Sequence, residues 1–420
     1  MKKMYLKFLL MTFFTVAANL ANAQCTGGRY TSQIFSADNI TSNISYGNNV
    51  TYTGASQNLL LDVYQPTGDT ASLRPLIILA HGGSFIGGTK TGSDVVPLCH
   101  DFAKMGYVTA SIEYRVGISG FPLPGPDSSD ATESVIRGVH DGKAAVRFFR
   151  KSAAQGGNPY KVDTNQIYFA GVSAGAIIAI HMAYLDDMSE YPSWIDSSHA
   201  CLSGGLEGTS GNPGYSSEVN AIVNICGAIR DTAWIHAGDE PICSFHGTND
   251  QTVPYGSAMI YLVGIYPMLQ VDGSFSITAR MNQLGIENCF ETYEGQDHVP
   301  EVSNAQYYDT TKVIMRNFLA HFVCGNSLQC VYPVGVEEIS ENNSEVLIYP
   351  NPASKEFTIY DERFTISNLE VYNLVGEKVF QQQTTNDKRQ SFNVSLLPPG
   401  IYMVKIFSAK RVSYAKLVKE

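Results

Sequence analysis

The segment Gly171-Val172-Ser173-Ala174-Gly175 is the feature that most constrains how this chain can fold. It follows an apolar run over residues 167–170, which predicts a buried strand, and precedes a helix-like run over residues 176–180. A strand that turns directly into a helix holds the serine between them in a strained conformation, with its hydroxyl exposed. A Cβ atom at either flanking glycine would collide with the neighbouring strand or helix. The segment therefore predicts a tight strand-to-helix turn that presents Ser173.

Two further polar side chains follow predicted strands, in an order that completes a serine-based catalytic group. Asp250 follows the apolar run over residues 241–245, and His298 follows the run over residues 289–293. This order of nucleophile, acid and base differs from the orders in chymotrypsin and subtilisin. We predict that Ser173 is the nucleophile, His298 the general base and Asp250 the residue that orients it. Because an ordinary histidine has a pKa of about 6.5, the acid limb of activity should lie near pH 6–7.

A glycine-rich loop after a fourth predicted strand offers hydrogen-bond donors for a developing negative charge. Residues 75–80 form an apolar run that leads directly into His81-Gly82-Gly83-Ser84-Phe85. Backbone N–H groups that point inward from such a loop can bind an oxyanion. We predict an oxyanion hole formed by the N–H groups of Gly83, Ser84 and Ala174.

Four other titratable residues lie near these loops, and the sequence favours structural roles for them. Asp239 is an alternative acid, but it precedes its strand and so lies at the wrong end of the sheet. Asp297 directly precedes His298 and cannot easily orient that same imidazole, which favours a loop-capping role. His81 and His246 lie beside glycines in strand-end loops, where an imidazole usually supports the turn.

The span from about residue 55 to 324 resembles an α/β-hydrolase of the carboxylesterase and hormone-sensitive-lipase type, including the feruloyl-esterase-like branch. The resemblance rests on the motifs above and on Asp141-Gly142-Lys143-Ala144-Ala145, which opens a long helical run. It implies a mostly parallel sheet flanked by helices and hydrolysis of a carboxylic ester, without a cofactor or metal. Residues 186–218 interrupt the alternation of strands and helices, which predicts an insertion over the active-site end, where substrate-selecting loops would lie. Two positions depart from the family pattern: the oxyanion motif reads His-Gly-Gly-Ser, and Ala176 stands where many relatives carry glycine.

The amino terminus and the cysteines indicate export. Residues 1–23 combine an early lysine cluster, a short apolar stretch and a small-residue cleavage site, which together predict a signal peptide. Cys25 raises the alternative of a lipoprotein, but Gln24 precedes it where a small residue is expected. Eight cysteines in an exported chain predict disulfides, although 105 pairings are possible. Cys324 and Cys330 could close a small loop, and Cys243 and Cys289 lie on strands expected to be neighbours; several cysteines could instead be buried thiols.

Charge and composition narrow the set of partners. The formal net charge is −11, from 28 basic and 39 acidic residues. A chain this acidic does not favour binding to nucleic acid or to an anionic membrane, because both require basic patches. No C-x-x-C pair or His/Cys cluster suggests a metal site.

The character of the sequence changes after Cys330. A polar, acidic linker leads to Tyr349-Pro350-Asn351-Pro352, and short alternating strands with Pro and Gly turns follow to the end. This pattern predicts a small antiparallel β-sandwich. With its Leu-Pro-Pro-Gly-Ile-Tyr segment and basic end, it resembles the C-terminal sorting domain of the Bacteroidota type IX secretion pathway. A generic β-sandwich binding module is the alternative.

Together these features predict an α/β-hydrolase domain followed by an all-β domain, in a protein that is secreted or attached to the cell surface. The expected ranges are a signal peptide at 1–23, an irregular lead-in at 24–54, a catalytic domain at 55–330, a linker at 331–344 and a β-sandwich sorting domain at 345–420. The predicted function is hydrolysis of acetyl or feruloyl esters of polysaccharide, or of other small esters, with the secretion machinery as the partner of the last domain. A serine peptidase, a lipase or polyesterase, and a catalytically dead glycan-binding protein are the alternatives.

Overall fold

The structure, a computed structural model, describes residues 25–332, 347–360, 365–374, 376–384, 389–408 and 412–420. Contacts divide the chain into two compact units, with the boundary between Tyr332 and Pro333. The predicted signal peptide and most of the predicted linker lie outside the described residues. No helix in the described part of the chain is long and apolar enough to cross a membrane.

The first unit is built on one eight-stranded sheet. Its strands are β1 (Asp38–Val50), β2 (Ser56–Pro66), β3 (Arg74–Ala80), β4 (Val108–Ile112), β5 (Val162–Val172), β6 (Ala221–Ile225), β8 (Ile242–Gly247) and β11 (Asn288–Tyr293). They are ordered β1-β2-β4-β3-β5-β6-β8-β11. The pairs β1–β2 and β2–β4 are antiparallel and all later pairs are parallel. The carboxyl ends of β3, β5, β8 and β11 therefore meet at one edge of the sheet, as predicted for an α/β-hydrolase.

Helices cover both faces of this sheet. They are α1 (Val96–Lys104), α2 (Ser128–Gln155), α3 (Ala174–Tyr184), α4 (Ser274–Leu284), α5 (Pro300–Ser303) and α6 (Ala305–Cys324). Strand β3 is buried throughout, and its side chains alternate between two cores: Leu76 and Ile78 pack with α2, α3 and α4, whereas Ile77 and Leu79 pack with α1 and α6. The continuous apolar runs of the sequence follow from this burial on both faces.

The prediction of an irregular lead-in over residues 24–54 is wrong for β1, which is a 13-residue strand. Most of its Ser, Thr and Asn side chains are exposed, and Tyr46 is its buried hydrophobic residue. Strand β1 lies at the edge of the sheet and pairs with β2 alone. Pairing with an apolar partner stabilises a sequence whose own strand preference is weak.

The disulfides differ from both pairings considered from the sequence. Cys25 bonds to Cys324 and Cys289 bonds to Cys330, so neither the Cys324–Cys330 loop nor a Cys243–Cys289 bond forms. Cys243 and Cys289 do lie opposite each other on the paired strands β8 and β11. Cys243 is a buried free thiol, whereas Cys289 bonds to the segment after α6.

A small second sheet interrupts the alternation of strands and helices. It consists of β7 (Ala228–Ile229), β9 (Ser257–Leu262) and β10 (Tyr266–Gly273), in the order β7-β10-β9. Strands β9 and β10 form an antiparallel hairpin between β8 and α4. This hairpin was not predicted from the sequence.

The second unit is all-β, as predicted. Its strands are β12 (Leu347–Tyr349), β13 (Glu356–Tyr360), β14 (Asn368–Tyr372), β15 (Lys378–Gln383), β16 (Arg389–Asn393), β17 (Gly400–Phe407) and β18 (Val412–Lys419). They form two antiparallel sheets, β12-β13-β16 and β15-β14-β17-β18. Phe357, Phe392 and Val404 are fully buried in one core that draws on both sheets.

Candidate active site

Ser173 lies on the sharp turn between β5 and α3 that the sequence predicts. Its φ is 53° and its ψ is −114°, a strained combination for a residue with a side chain. A Cβ on Gly171 would collide with the Gly175 carbonyl, and one on Gly175 would collide with the carbonyl of Ala80 on β3. Ser173 donates its backbone N–H to Ile225 of β6 at 2.8 Å. The turn is thus closed from three sides and holds the serine in one orientation.

His298 connects Ser173 to Asp250. Its Nε2 lies 2.8 Å from Ser173 Oγ, and its Nδ1 lies 2.7 Å from Asp250 Oδ2. His298 follows β11 in a loop tied to the Asp250 loop by Asp297, whose Oδ1 accepts from the N–H groups of Gln251 (2.9 Å) and His298 (2.8 Å). The predicted capping role of Asp297 is confirmed. The structure therefore brings together the three residues that the sequence selects, in one hydrogen-bonded chain.

Asp250 is buried and held ionised. Its Oδ1 accepts from the backbone N–H groups of Thr252 and Val253, both at 2.8 Å. Its Oδ2 lies 2.7 Å from His298 Nδ1 and 3.2 Å from His246 Nε2. Burial alone would raise the pKa of Asp250, but the hydrogen bonds from His246, His298 and the Val253 N–H hold it well below its ordinary value. A permanent negative charge therefore lies behind His298.

His246 supports the acid as well as the turn, which the sequence reasoning missed. Its Nε2 lies 3.0 Å from the Val253 carbonyl, so this nitrogen carries the proton and also faces Asp250. Its Nδ1 lies 2.7 Å from the hydroxyl of Ser274, which in turn accepts from Asn224 Nδ2 at 2.9 Å. One sequence feature could have predicted this contact: His246 and Asp250 are four residues apart in the same strand-end loop.

The glycine-rich loop after β3 lies against Ser173. A Cβ on Gly82 would come within 3.3 Å of Ser173 Cβ, and Gly82 donates its N–H to Asp94 Oδ2 at 2.7 Å. Gly83 and Ser84 both have positive φ, 121° and 54°. Within the described residues, the N–H groups of Gly83, Ser84 and Ala174 donate to no protein acceptor. Ala174 begins α3, where N–H groups are left free by the geometry of a helix.

A cavity of about 590 Å³ opens beside Ser173 and is walled mostly by apolar side chains. Helices α2 and α3 contribute Val135, Ile136 and Ile177, and the hairpin contributes residues from both of its strands. The hairpin residues are Ile260, Tyr261, Leu262, Met268, Leu269 and Val271. The sequence places an insertion at residues 186–218 over this end of the sheet. Pro192 and Trp194 of that segment do line the cavity.

Two basic residues also reach the cavity. His181 on α3 is buried, its Nδ1 lies 2.8 Å from the Ile177 carbonyl, and burial lowers its pKa to about 4. The His181 imidazole is therefore neutral near pH 7. Arg230 is exposed at the cavity and donates to the Gln270 carbonyl at 2.8 Å. These residues were not selected from the sequence, because their exposure to the cavity depends on how α3 and the hairpin meet.

Two groups of potential metal ligands lie within reach of one another in the described residues. Cys226, Asp250 and His298 form one, and Asp186, Glu190 and His236 form the other. In the first group, the Asp250 carboxylate and the His298 imidazole are already paired at 2.7 Å. A metal ion between them would break the hydrogen bond on which the chain from Ser173 depends.

Comparisons with known proteins agree with this architecture. Residues 61–231 match the BD-FAE family model, an α/β-hydrolase esterase domain, and residues 347–420 match the model of the secretion system C-terminal sorting domain. Mouse Carboxylesterase 3B is 34% identical over 121 residues, which are 29% of this chain and 19% of that protein. Human Carboxylesterase 3 is 31% identical over 121 residues, with the same two shares. The chain thus matches about a fifth of the length of these relatives.

Solved esterase structures are also similar to this chain. Esterase 2 of Thermogutta terrifontis, phosphoramylated by tabun, is 22% identical with a TM-score of 0.47. The similarity covers 68% of this chain and 95% of that one.

Proposed function

We propose that the protein is a secreted serine carboxylic-ester hydrolase, because residues 61–231 match the BD-FAE family model and residues 347–420 match the model of the sorting domain. Ser173 is the nucleophile, His298 the general base and acid, and Asp250 the residue that orients His298 and stabilises its charged form. The observation that carries the proposal is the unbroken chain Ser173 Oγ–His298 Nε2, His298 Nδ1–Asp250 Oδ2.

The reaction proceeds in two halves through an acyl-enzyme. His298 Nε2 takes the hydroxyl proton as Ser173 Oγ attacks the acyl carbon, and the carbonyl oxygen becomes negatively charged. The N–H groups of Gly83, Ser84 and Ala174 bind this oxyanion; loss of one such donor costs about 10²–10³ in rate. The intermediate collapses, the bond to the alcohol oxygen breaks, and His298 returns the proton to the leaving alcohol. Water then repeats the attack, which releases the acid and restores Ser173.

The fluorophosphonate reaction separates this proposal from a dead glycan-binding scaffold. The wild-type protein should be labelled by a fluorophosphonate probe and should hydrolyse p-nitrophenyl esters. Ser173→Ala should lose both properties and keep its fold by circular dichroism. Turnover in purified Ser173→Ala that matches the wild-type rate would overturn the assignment of the nucleophile.

The substrate is proposed to be an ester of a polysaccharide, either acetyl or feruloyl. An acetyl group would leave most of the cavity empty, whereas cavities of about 300–1,000 Å³ enclose ligands of drug size. The apolar lining therefore favours the larger acyl group, and it also suits the acyl chain of a lipid or polyester. Initial rates on p-nitrophenyl esters of rising chain length, methyl ferulate and acetylated xylan separate these substrates. Cleavage of peptide amides by the same triad would support the peptidase alternative.

The last domain is proposed to direct export by the type IX secretion machinery. The sorting-domain match indicates a secreted or cell-surface protein, and the two disulfides agree with an oxidising location.

A further inference from the structure

Glu301 is a buried carboxyl group that interacts electrostatically with His298 and Asp250 of the proposed triad. It lies on the short helix α5, three residues after His298, and is only 5% exposed. No other residue in the described part of the chain donates a hydrogen bond to either of its carboxyl oxygens. Buried polar groups are normally paired, so a carboxyl group left in this state requires an explanation.

Among the described residues found to interact electrostatically with Glu301, His298 is the one that can carry a positive charge. The titratable groups that face it are His298, Asp250, Asp94, Cys226 and Tyr293. Asp94 precedes α1 and hydrogen-bonds the oxyanion loop, and Cys226 follows β6. Tyr293 ends β11, and its hydroxyl lies 2.6 Å from that of Thr311. Four of these five neighbours are neutral or negative at every pH at which the protein would work.

Cys226 shows how closely this pocket is joined to the triad. Its thiol is buried, lies within 4.8 Å of ligand atoms of Asp250 and His298, and is influenced by backbone groups of Gly247, which ends β8, and of Val299, which follows His298. Cys226, which interacts with Glu301, therefore lies beside both the loop that carries Asp250 and the loop that carries His298. A charge on Glu301 acts on His298 through the protein interior. Electrostatic interactions are stronger there than in water, because the effective dielectric constant is lower.

We propose that Glu301 is a positioning residue of the proposed esterase reaction, which stabilises the His298 imidazolium from behind the triad. This role rests on the proposed function, because it is exerted through the base. When Ser173 attacks, His298 acquires a positive charge, and an ionised Glu301 lowers the energy of that charged state. A protonated Glu301 has no net charge and supplies no such stabilisation.

The burial that isolates Glu301 also determines when it acts. Desolvation is the largest influence on this group and, with the nearby Asp94 and Asp250, raises its pKa to about 7. Glu301 is therefore neutral in mildly acidic solution and ionised above neutral pH. The enzyme should show a second ionisation in kcat/KM that does not belong to a triad residue.

The test compares wild type, Glu301→Gln and Glu294→Gln across pH 5.5–9 on one p-nitrophenyl ester. Glutamine keeps the shape of Glu301 but cannot ionise, and Glu294 is an exposed glutamate four residues before His298. The ratio of wild-type to E301Q kcat/KM should be close to one near pH 5.5 and should rise through neutral pH to a plateau on the order of tenfold. E294Q should follow wild type at every pH, because water screens the exposed charge.

A ratio of wild type to E301Q that is the same at every pH would overturn the role of Glu301 and would indicate packing alone. Absence of esterase activity in the wild type would instead contradict the proposed function. These two failures are distinguishable in one set of measurements.

Thermal unfolding supplies a readout that does not depend on catalysis. The pKa of Glu301 is raised on folding from 4.5 to about 7, so its protonated form stabilises the folded state at low pH. This stabilisation is complete below about pH 4 and is lost as the pH rises through 7. The Tm of E301Q minus that of wild type should therefore increase from pH 5 to pH 8. A constant difference, or an E301Q protein that does not fold at pH 5.5, would overturn the proposal.

Discussion

Several residues at the proposed active site adopt backbone conformations that L-amino acids rarely take. Ser173, Cys226 and Val299 have φ values of 53°, 55° and 47°, and none is glycine. Val299 is the least expected of them, because a β-branched side chain is strained in this region. Such strain persists only where the surrounding structure imposes it, and it concentrates at functional sites. Here it aims the serine, places the thiol beneath the triad and turns the chain sharply after His298.

At this scale, the proposed role of Asp250 as the acid of the triad can be tested by comparing it with Asp297, a carboxylate in the adjoining loop. Asp250→Asn should reduce kcat by about 10³–10⁴, because an amide cannot stabilise the imidazolium or select its tautomer. Asp297→Asn is the matched control, since it removes a nearby carboxylate that caps the loop without touching the imidazole. We expect D297N to lose less than about tenfold. Equal losses in the two variants, from steady-state kinetics, would contradict the assignment of the acid.

The sequence predicts Ser173, Asp250 and His298 because each follows an apolar strand run, and parallel strands end at a common edge. It does not predict Glu301 or the contact of His246 with Asp250. Glutamate is usually exposed, and the burial of Glu301 depends on how the segment after β11 packs against the rest of the unit, which no local sequence pattern records. The three proposed catalytic residues could therefore be predicted from the sequence, because each follows a strand. The residues that contact them from behind could not, because their positions depend on tertiary packing.

At the scale of elements, the hairpin β9–β10 forms much of the cavity wall beside Ser173. Ile260 and Leu262 of β9 line the cavity and are at least partly buried, whereas Met259 is exposed and does not line it. The sequence predicts that residues 186–218 select the substrate, and Pro192 and Trp194 of that segment line the cavity. The hairpin was missed because its alternating pattern carries no sign of which surface it covers. A local sequence pattern can indicate whether a segment is a strand or a helix. Which side chains line a cavity depends on how distant segments pack together.

Narrowing the cavity should change chain-length preference without changing the chemistry. Ile260→Trp adds a large side chain on the cavity face of β9 and should reduce kcat/KM for p-nitrophenyl octanoate by about tenfold or more, roughly 1.4 kcal/mol or above. Activity on p-nitrophenyl acetate should change little, because a two-carbon acyl group does not reach the hairpin. Met259→Trp places the same side chain on the exposed face and should leave both rates unaltered. A parallel loss on acetate and octanoate in Ile260→Trp would show that the hairpin does not bound the acyl site.

At the scale of the whole molecule, the two units have separate means of stabilisation. In the first, the disulfide from Cys25 to Cys324 joins residues 299 positions apart, and the bond from Cys289 to Cys330 fastens the segment after α6 to β11. Covalent links of this kind restrict the unfolded chain and contribute about 2–4 kcal/mol each. The second unit instead buries its own apolar core between two sheets. Each unit therefore has what an independent fold requires.

The residues proposed for catalysis all lie between Gly83 and Glu301. The Cys289–Cys330 disulfide ends at Cys330, so a chain that extends past this residue keeps both disulfides of the first unit. A protein that ends at Val336 should consequently stay soluble, show the Tm of the first unit and hydrolyse small esters with the kcat/KM of the full-length chain. The same truncation should abolish export, because the match to the sorting domain begins at residue 347.

In the native host, the truncated protein should accumulate inside the cell while full-length protein reaches the medium or the surface. Mass spectrometry of the exported form should find the second unit removed. A folded truncation that loses small-ester activity would show that the second unit shapes the active site, and export of the truncated protein would refute the sorting role.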